Sequence, residues 1–563
     1  MADGITAFER LREDFLRYYD TPFKVRLDEV MDERRSLLDR DGGLWREPWI
    51  EVLRDYALTG LGLDQAIKAA GAPPDLAQFA SLGLIEHPDV FKHQQQALQS
   101  AEAGRNVVVS AGTGSGKTEA FLLPIISALL RESGNGTWGR GSPPGSAWWE
   151  ADKGAWTAQR TAETGRLPAI RALLVYPMNA LVEDQLVRLR RSLDSDPVRA
   201  WLDKFRNGHR FYFGRYTGRS PVSGASNNEN REGELRELMR EAAHRADRIG
   251  DDPERRFYLP RVDGAEMRSR WDMQSHPPDI LISNHSMLNV MLMRERERTM
   301  FEKTRLWLEE PSNVFHVVVD ELHMHRGTAG TEVAYLLRRL LHELGLKPDS
   351  DQVRFIATSA SLESGQRGQQ FLADFFGAKS DSFDVHEGEI EAPQKGTGAN
   401  PEDFREDFER LAHDASGAGV MEAHGLLVKA NAAGAMDEAC GGNAVRLSAL
   451  DAALFPGAPR EGGVVASKPM VGLFHAMDIA GADSGEGRVP RARAHLFFRN
   501  VSGIWACTDP ECPEVEPQFR NPERTVGRLW DQPRHRCGDR CGKKVLRLLY
   551  CQPCGEMFLG GFL

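Results

Sequence analysis

Apolar residues recur at intervals of three and four along ITAFERLREDFLRYY and VRLDEVMDERRSLL, the spacing that gives a helix one buried face. Residues 1–84 are therefore expected to form an N-terminal helical accessory region. From Arg105 the pattern changes. NVVVS, RALLVY, RFYFGRY, DILIS, FHVVVD and VRFIAT are apolar throughout and alternate with amphipathic stretches. A strand without a polar face has to be covered on both sides, as in a parallel sheet flanked by helices. The alternation predicts an α/β lobe over about residues 85–385. Between its first two strands, SGNGTWGRGSPPGSAWWEADKGAWTAQRTAETG has no stable period and is rich in Gly, Ser and Trp. It reads as a surface insertion over about 132–168 whose tryptophans pack locally. After Phe376 the rhythm fades into Gly- and Ala-rich sequence, with a helix predicted at PEDFREDFERLAHDA and weaker ones to about Ala480. Residues 386–490 are expected to be a helical linker region, and 491–563 a cysteine-rich element.

Length and composition narrow the class. With 563 residues the chain has room for three or four domains, and 41% hydrophobic with 27% charged residues excludes a disordered or membrane-embedded protein. A net charge of -11 argues against a polybasic nucleic-acid coat, although a motor that grips a strand locally can be acidic overall. MADGITAFERLREDF carries no basic leader followed by an apolar stretch, and the longest apolar run, around FLLPIISALL, falls short of the ~20 residues that span a bilayer. A cytoplasmic protein is expected. Six of the seven cysteines lie beyond residue 506, a clustering that points to a metal in a reducing compartment rather than to disulfides.

The most specific chemistry is AGTGSGKT, Ala111–Thr118, set between the strand NVVVS and the helix EAFLLPIISALL. That is the setting of a phosphate-binding loop. The N–H groups of the turn formed by Ala111, Gly112, Thr113, Gly114, Ser115 and Gly116 would cradle phosphates at the positive end of the helix. Lys117 would meet the β- and γ-phosphates and Thr118 would hold Mg2+; Ala111 stands where the strict pattern has glycine. ATP or a related nucleotide is expected. Phe91, His93 and Gln94 in VFKHQQQAL precede the loop by about twenty residues, and the Gln94 amide has one donor and one acceptor with which to read an adenine edge.

FHVVVDELHMHRG ends an apolar strand in two carboxylates. Asp320 is expected to hold Mg2+ through water and Glu321 to orient and deprotonate the attacking water. His323 would link the nucleotide site to the next motif, FIATSASL, where Thr358, Ser359, Ala360 and Ser361 form a coupling element at a strand end. Near the C-terminus WACTDPEC, RCGDRCG and YCQPCGE give three thiol pairs: Cys507 with Cys512, Cys537 with Cys541, and Cys551 with Cys554. Two pairs complete one tetrahedral Zn2+ site. The first two pairs are the preferred set and Cys551 and Cys554 are the alternative; His535 could substitute for a thiol but is expected at the surface. Cys440 stands alone and is expected in a core.

Gln94, AGTGSGKT, VYPMNAL, DILISNHSML, DELH and TSASL follow the motif order of superfamily 2 helicases. DELHMHRGTAGTEVAYLLRRL and ILISNHSMLNVMLMR resemble more closely the MrfA-like DEAD/DEAH-box group, which includes the large helicases of the Druantia and DISARM anti-phage systems. The resemblance runs from about residue 85 to 385. It implies a P-loop, RecA-like fold and ATP-driven movement on nucleic acid, most simply DNA. It also implies that Pro177, Asn179 and Ala180, then Thr217 and Gly218, then Ser283, Asn284 and His285 lie on the strand path; the family often has Thr where Ser283 stands. Such contacts are to the backbone and carry no sequence specificity.

A motor of this kind needs a second RecA-like lobe to close on the nucleotide, and no string after TSASL matches one. The chain is therefore expected to be the first lobe of an ATP-dependent helicase or translocase, with the second lobe on further sequence or another chain and defence-system proteins as partners. LLYCQPCGEMFLGGFL then reads as a zinc knuckle and the start of a strand, interrupted before the second lobe. The contrasting readings are a non-catalytic nucleic-acid-binding module with the P-loop as a switch, and an RNA helicase.

Overall fold

The computed structural model describes residues 4–21, 24–112, 114–141, 147–151, 156–160, 163–224, 226, 228–250, 252, 255–362, 365–391, 399–413, 419–460, 465–481 and 489–561. The chain forms two compact units, Met1–Arg54 with Ala392–Leu563, and Asp55–Glu391. No helix among the described residues is long and apolar enough to cross a membrane.

The first unit begins with the two expected helices, Gly4–Asp20 and Asp28–Leu38. Strand β1 (Trp45–Val52) then interrupts the helical pattern. Its sequence, WREPWIEV, hides the strand: Pro48 and the charged residues disfavour one, and Pro48 falls within an irregularity of the pairing between Arg46 and Trp49.

The second unit contains the predicted lobe. Strands β2 (Asn106–Ser110), β3 (Ala172–Tyr176), β4 (Phe213–Tyr216), β5 (Ile280–Asn284), β6 (Phe315–Val319), β7 (Val353–Ser359) and β8 (Phe383–Glu387) form one sheet in the order β4-β5-β3-β6-β7-β2-β8. Every pairing in it is parallel. The apolar runs are explained by the two cores. Val107, Val109, Leu174, Ile282 and Val318 pack on one face, whereas Val108, Leu173, Val175, Val317 and Phe355 pack on the other. Strand β8 departs from the predicted pattern; FDVHE is an edge strand with one fully buried residue, Phe383.

The tryptophans of the insertion pack on one another and, beyond the local packing expected, on side chains distant in sequence, with Trp138 in the core of the lobe. Trp148 and Trp149 are buried with Leu235, Met239 and Trp271, and the Arg166 guanidinium lies 3.7 Å from the Trp138 ring centroid. Where the insertion rejoins the sheet, Arg160, Arg166 and Arg171 are buried with Asp279 and meet the half-buried Glu132 and Glu163. Arg160 pairs with Glu163 at 2.5 Å, Arg171 reaches Asp279 at 3.0 Å and Glu132 at 2.5 Å, and Asp279 also accepts the Tyr212 N–H at 2.7 Å. Charges at this depth persist only when each is paired and hydrogen-bonded. Against the cost of burial, Arg160 and Arg166 hold Glu163 far below the ordinary carboxylate range.

Returning to the first unit, β9 (Val445–Arg446) and β10 (Ala492–Phe498) flank β1 antiparallel, giving the order β10-β1-β9. Helices over 405–480 pack around Ile50, Phe408, Leu427, Met436 and Leu473, and Cys440 lies in this core at 4% exposure, as expected. Strands β11 (Trp505–Cys507), β12 (Leu529–Trp530), β13 (Val545–Tyr550) and β14 (Met557–Gly560) form an antiparallel sheet, β12-β11-β13-β14. Glu33 of the second helix ties it down by pairing with Arg524 and accepting the Leu529 N–H at 3.0 Å.

Candidate functional site

The parallel sheet brings its carboxyl ends to one edge, the edge at which α/β sheets bind ligands. Ser110 is in register with Ser359 on one side and Glu387 on the other, so the loops after β2 and β7 emerge together. The turn after β2 is glycine-dependent at two places. Gly114 and Gly116 have φ of +80° and +68°, the left-handed region in which a side chain is strained. A Cβ on Gly116 would also stand 2.2 Å from Gln94 Nε2. Gly116 caps the helix Lys117–Gly134, which leaves the first N–H groups of that helix directed at the turn. Thr113 lies outside the described residues.

Lys117 Nζ donates to Glu321 Oε1 at 3.2 Å. Asp320 and Glu321 follow β6 directly, and Glu321 adopts φ +52°, a strained conformation of the kind found where a side chain must be aimed. Asp320 accepts the Thr358 hydroxyl, and Thr358 Oγ1 accepts the Glu321 N–H at 3.2 Å, so one hydroxyl joins the acidic pair to β7. His323 Nδ1 stands 3.2 Å from Glu321 Oε2 and 3.4 Å from the Ala360 N–H. The Ser359 hydroxyl accepts the Ser361 N–H at 3.2 Å, closing the TSASL turn. Burial pushes the Asp320 carboxyl above its ordinary range, which is the electrostatic condition a divalent cation would relieve. Its carboxylate and the Thr118 hydroxyl are hard oxygen donors of the kind Mg2+ takes.

Gln94 is 4% exposed and braces the loop. It accepts the Phe91 N–H at 3.0 Å and donates to Gly116 O at 3.0 Å, which leaves one N–H and one lone pair for an adenine edge. His93 Nε2 lies 2.7 Å from Ser115 O, and burial pushes its pKa down. Sequence reasoning missed two residues here. The Tyr56 hydroxyl accepts the Gly112 N–H at 2.9 Å, and Gln185 Nε2 donates to Thr118 Oγ1 at 3.2 Å. No motif announces Tyr56; Gln185 lies within VYPMNALVEDQ, where only its position on the Asn179–Asp194 helix could have marked it.

The DEAD/DEAH box helicase family matches residues 91–207 and 234–367, which contain the phosphate loop, the acidic box and the TSASL turn but not Tyr56 or Glu387. The lobe is a DEAD/DEAH box helicase domain. Among relatives, Druantia protein DruE of Escherichia coli (strain UMEA 4076-1) is 30% identical over 632 residues, covering 98% of this chain and 33% of DruE. The ATP-dependent helicase HRQ1 of Saccharomyces cerevisiae is 21% identical over 304 residues, 54% of this chain and 19% of HRQ1. The chain thus spans a third or less of the length of these relatives. A crystal structure of the DUF1998 helicase MrfA covers 62% of this chain and 36% of its own at 19% identity, with a TM-score of 0.32. The fold is given by the seven-stranded parallel sheet itself.

In the helicase domain the residues expected on the strand path gather at the ends of β3, β4 and β5. Asn284 Nδ2 donates to Asn179 Oδ1 at 2.7 Å, and Asn284 Oδ1 caps the next helix by accepting the Met287 N–H at 2.7 Å. Pro177, Asn179, Asn284 and His285 are partly accessible and Gly218 is exposed; Ala180 is the second residue of the helix Asn179–Asp194 after β3. Two members are closed off. Thr217 is 1% exposed and Ser283 0%; the Ser283 hydroxyl donates to Tyr216 O at 2.7 Å and the Thr217 hydroxyl accepts the Arg219 N–H at 3.3 Å. Their hydroxyls shape the loops in this structure.

Outside the helicase domain, the sulfur atoms of Cys507, Cys512, Cys537 and Cys541 lie within 4.8 Å of one another. Cys507 and Cys541 approach to 3.6 Å, as do Cys512 and Cys537. A Zn–S bond of about 2.3 Å in a tetrahedron requires S···S distances of about 3.8 Å, so the donor set fits Zn2+. Burial pushes the Cys537 thiol up to about 11 and raises Cys507 as well, a cost that a cation would remove. Cys551 and Cys554 are not part of this group. Cys551 instead accepts the Gly555 N–H on its carbonyl at 2.8 Å, in the turn between β13 and β14.

Proposed function

We propose that the chain is the first motor lobe of an ATP-dependent helicase or translocase acting on nucleic acid, most simply DNA, in bacterial anti-phage defence. The observation that carries this reading is the Lys117–Glu321 pair at 3.2 Å, with Asp320 joined through Thr358 to β7. It sets a phosphate ligand and a water-activating carboxylate against each other across the two loops. In this reading a γ-phosphate draws Lys117 away from Glu321 and frees that carboxylate to take a proton from the attacking water. Mg2+, when bound, neutralises charge on the phosphate oxygens. Gln94 would read adenine, and the Asp320–Thr358–Glu321 hydrogen bonds would report nucleotide state to the TSASL turn. Pro177, Asn179, Ala180, Gly218, Asn284 and His285 would track a sugar-phosphate backbone, while Thr217 and Ser283 would hold those loops in shape. Cys507, Cys512, Cys537 and Cys541 would hold one structural Zn2+.

DNA and the defence role rest on the Druantia-type resemblance. A second RecA-like lobe, beyond these residues or on another chain, would complete the cleft. The deciding experiment is Lys117→Ala in the complete system, which is expected to abolish biological activity and nucleic-acid-stimulated ATP hydrolysis; retained activity would show that the P-loop does not drive a motor. The 563-residue chain alone is expected to hydrolyse ATP slowly, and vigorous stimulation by DNA would remove the need for a second lobe. A DNA strand and an RNA strand of one sequence, compared as stimulants in the complete system, separate the two polymers.

A further inference from the structure

The four-stranded sheet of the cysteine-rich element has two unlike faces. One is closed: Ala506, Leu529 and Leu548 are buried with Val25 and Val30. The other follows from the register. Trp530 pairs with Trp505, Trp505 with Arg547, and Leu549 with Phe558. Directly opposed residues of antiparallel strands project to the same side, as do residues two apart on one strand. Trp530, Trp505, Arg547, Leu549 and Phe558 therefore share a face, on which the two tryptophans are partly buried against Cys507, Cys512 and Val545. Phe558 is 55% exposed and Leu549 46%, and Arg547 is exposed.

Two cations stack at this face, and others lie on the adjoining loop. The Arg534 guanidinium lies 3.9 Å from the Trp530 ring centroid and that of Arg528 4.5 Å. Arg534, Arg536, Lys543 and Lys544 are exposed, and Arg536 bridges to Lys544 across the loop that carries Cys537 and Cys541. Arg528 and Arg540 share Glu514 at 3.6 Å and 3.1 Å; among the described residues the other four have no carboxylate within ion-pair distance. From Arg524 to Arg547 there are eight Arg and Lys against two acidic residues, in a chain of net charge -11. On Zn2+ the four thiolates would fix this loop and carry a net negative charge beside its cations.

An exposed aromatic and an exposed apolar side chain on a sheet, with unpaired cations at Trp530 and on the adjoining loop, complement a flexible polyanion whose bases are free to stack. A duplex offers the charge but hides the base faces. We propose that this sheet face binds single-stranded nucleic acid, as an anchor additional to the strand path of the helicase domain. The proposal deepens the reading above and rests on it only for why a strand is at hand.

The test uses the full chain without nucleotide, with fluorescence anisotropy of a labelled oligothymidylate over a salt series. The variant combining Arg534→Glu, Arg536→Glu, Lys543→Glu and Lys544→Glu is expected to bind about tenfold or more weakly, with the slope of log K against log salt reduced by about 0.7 for each phosphate that is no longer neutralised. Phe558→Ala is expected to weaken binding about fivefold or more with the slope unchanged. Unaltered affinity and slope in the four-site variant would overturn the proposal, as would happen if polypeptide covers the face. A duplex that competes as well as the strand, together with a silent Phe558→Ala, would overturn the single-strand assignment. If the four-site variant does not fold, Lys543→Glu and Lys544→Glu singly give the same slope reading. Lys117→Ala is expected to leave this binding intact, so failure of the motor and failure of the anchor are read separately.

Discussion

Gly112 donates its N–H to a phenol 56 residues upstream, so the first turn of the phosphate loop is fixed by Tyr56 as well as by its own glycines. Tyr56 also meets Phe91 and His93 edge-on, at 5.9 Å and 5.4 Å. Tyr56→Phe keeps those ring contacts and removes the acceptor, at a cost of about 1 kcal/mol. ATP binding, followed by titration calorimetry, is expected to weaken about fivefold. Asp194 supplies a pH-dependent test of stability. Burial pushes its carboxyl up to about 7, against the opposing charge of Arg199, whereas in an unfolded chain it titrates near ~3.9. The native state therefore holds the proton more tightly, and this residue's contribution to stability falls as pH rises from about 4 to about 7. Asp194→Asn is expected to flatten that part of the melting-temperature profile, and a profile as steep as that of the unaltered protein would contradict the shift.

At the scale of elements, the phosphate loop and its helix depend on Gly116. Ala there would combine a left-handed φ, which costs about 1–2 kcal/mol, with the approach of its Cβ to Gln94 Nε2. Gly116→Ala is expected to lose nucleotide binding and to lower the melting temperature, both measurable in one calorimetric series. The loop, the acidic box and six strands of the parallel sheet were legible because each is a local pattern: an apolar run, then a turn with chemistry at its end. What was not legible depends on partners distant in sequence. WREPWIEV becomes a strand only because residues 445–446 and 492–498 lie beside it, and FDVHE because β2 offers it an edge. The three CxnC pairs were plain, but the choice among them follows from the pairing of β11 with β13, which brings Cys507 beside Val545. Thr217 and Ser283 were recognisable as motif positions, while their burial reflects loop packing that no spacing encodes.

For the whole molecule, the division into two units predicts two separable melting transitions. ATP at about a hundred times its Kd would stabilise the unit Asp55–Glu391 by about 2.7 kcal/mol and leave the other transition in place. A strong chelator is expected to act in the opposite sense, lowering the transition of the unit that holds the four thiols. A single transition shifted by both reagents would contradict this independence. The strand β1 adds a constraint in time. It lies between β10 and β9, and its nearer partner begins 393 residues after β1 ends, at Val445 against Val52. At ribosomal rates of 5–20 residues per second that is a wait of roughly 20–80 s, long enough for the intervening helicase domain to fold first. During that interval both edges of β1, with Trp45 and Ile50, are open to other nascent chains. Synthesis of this protein therefore includes a period in which β1 needs shielding, and a chain ending at Glu391 would leave both edges of that strand open for good.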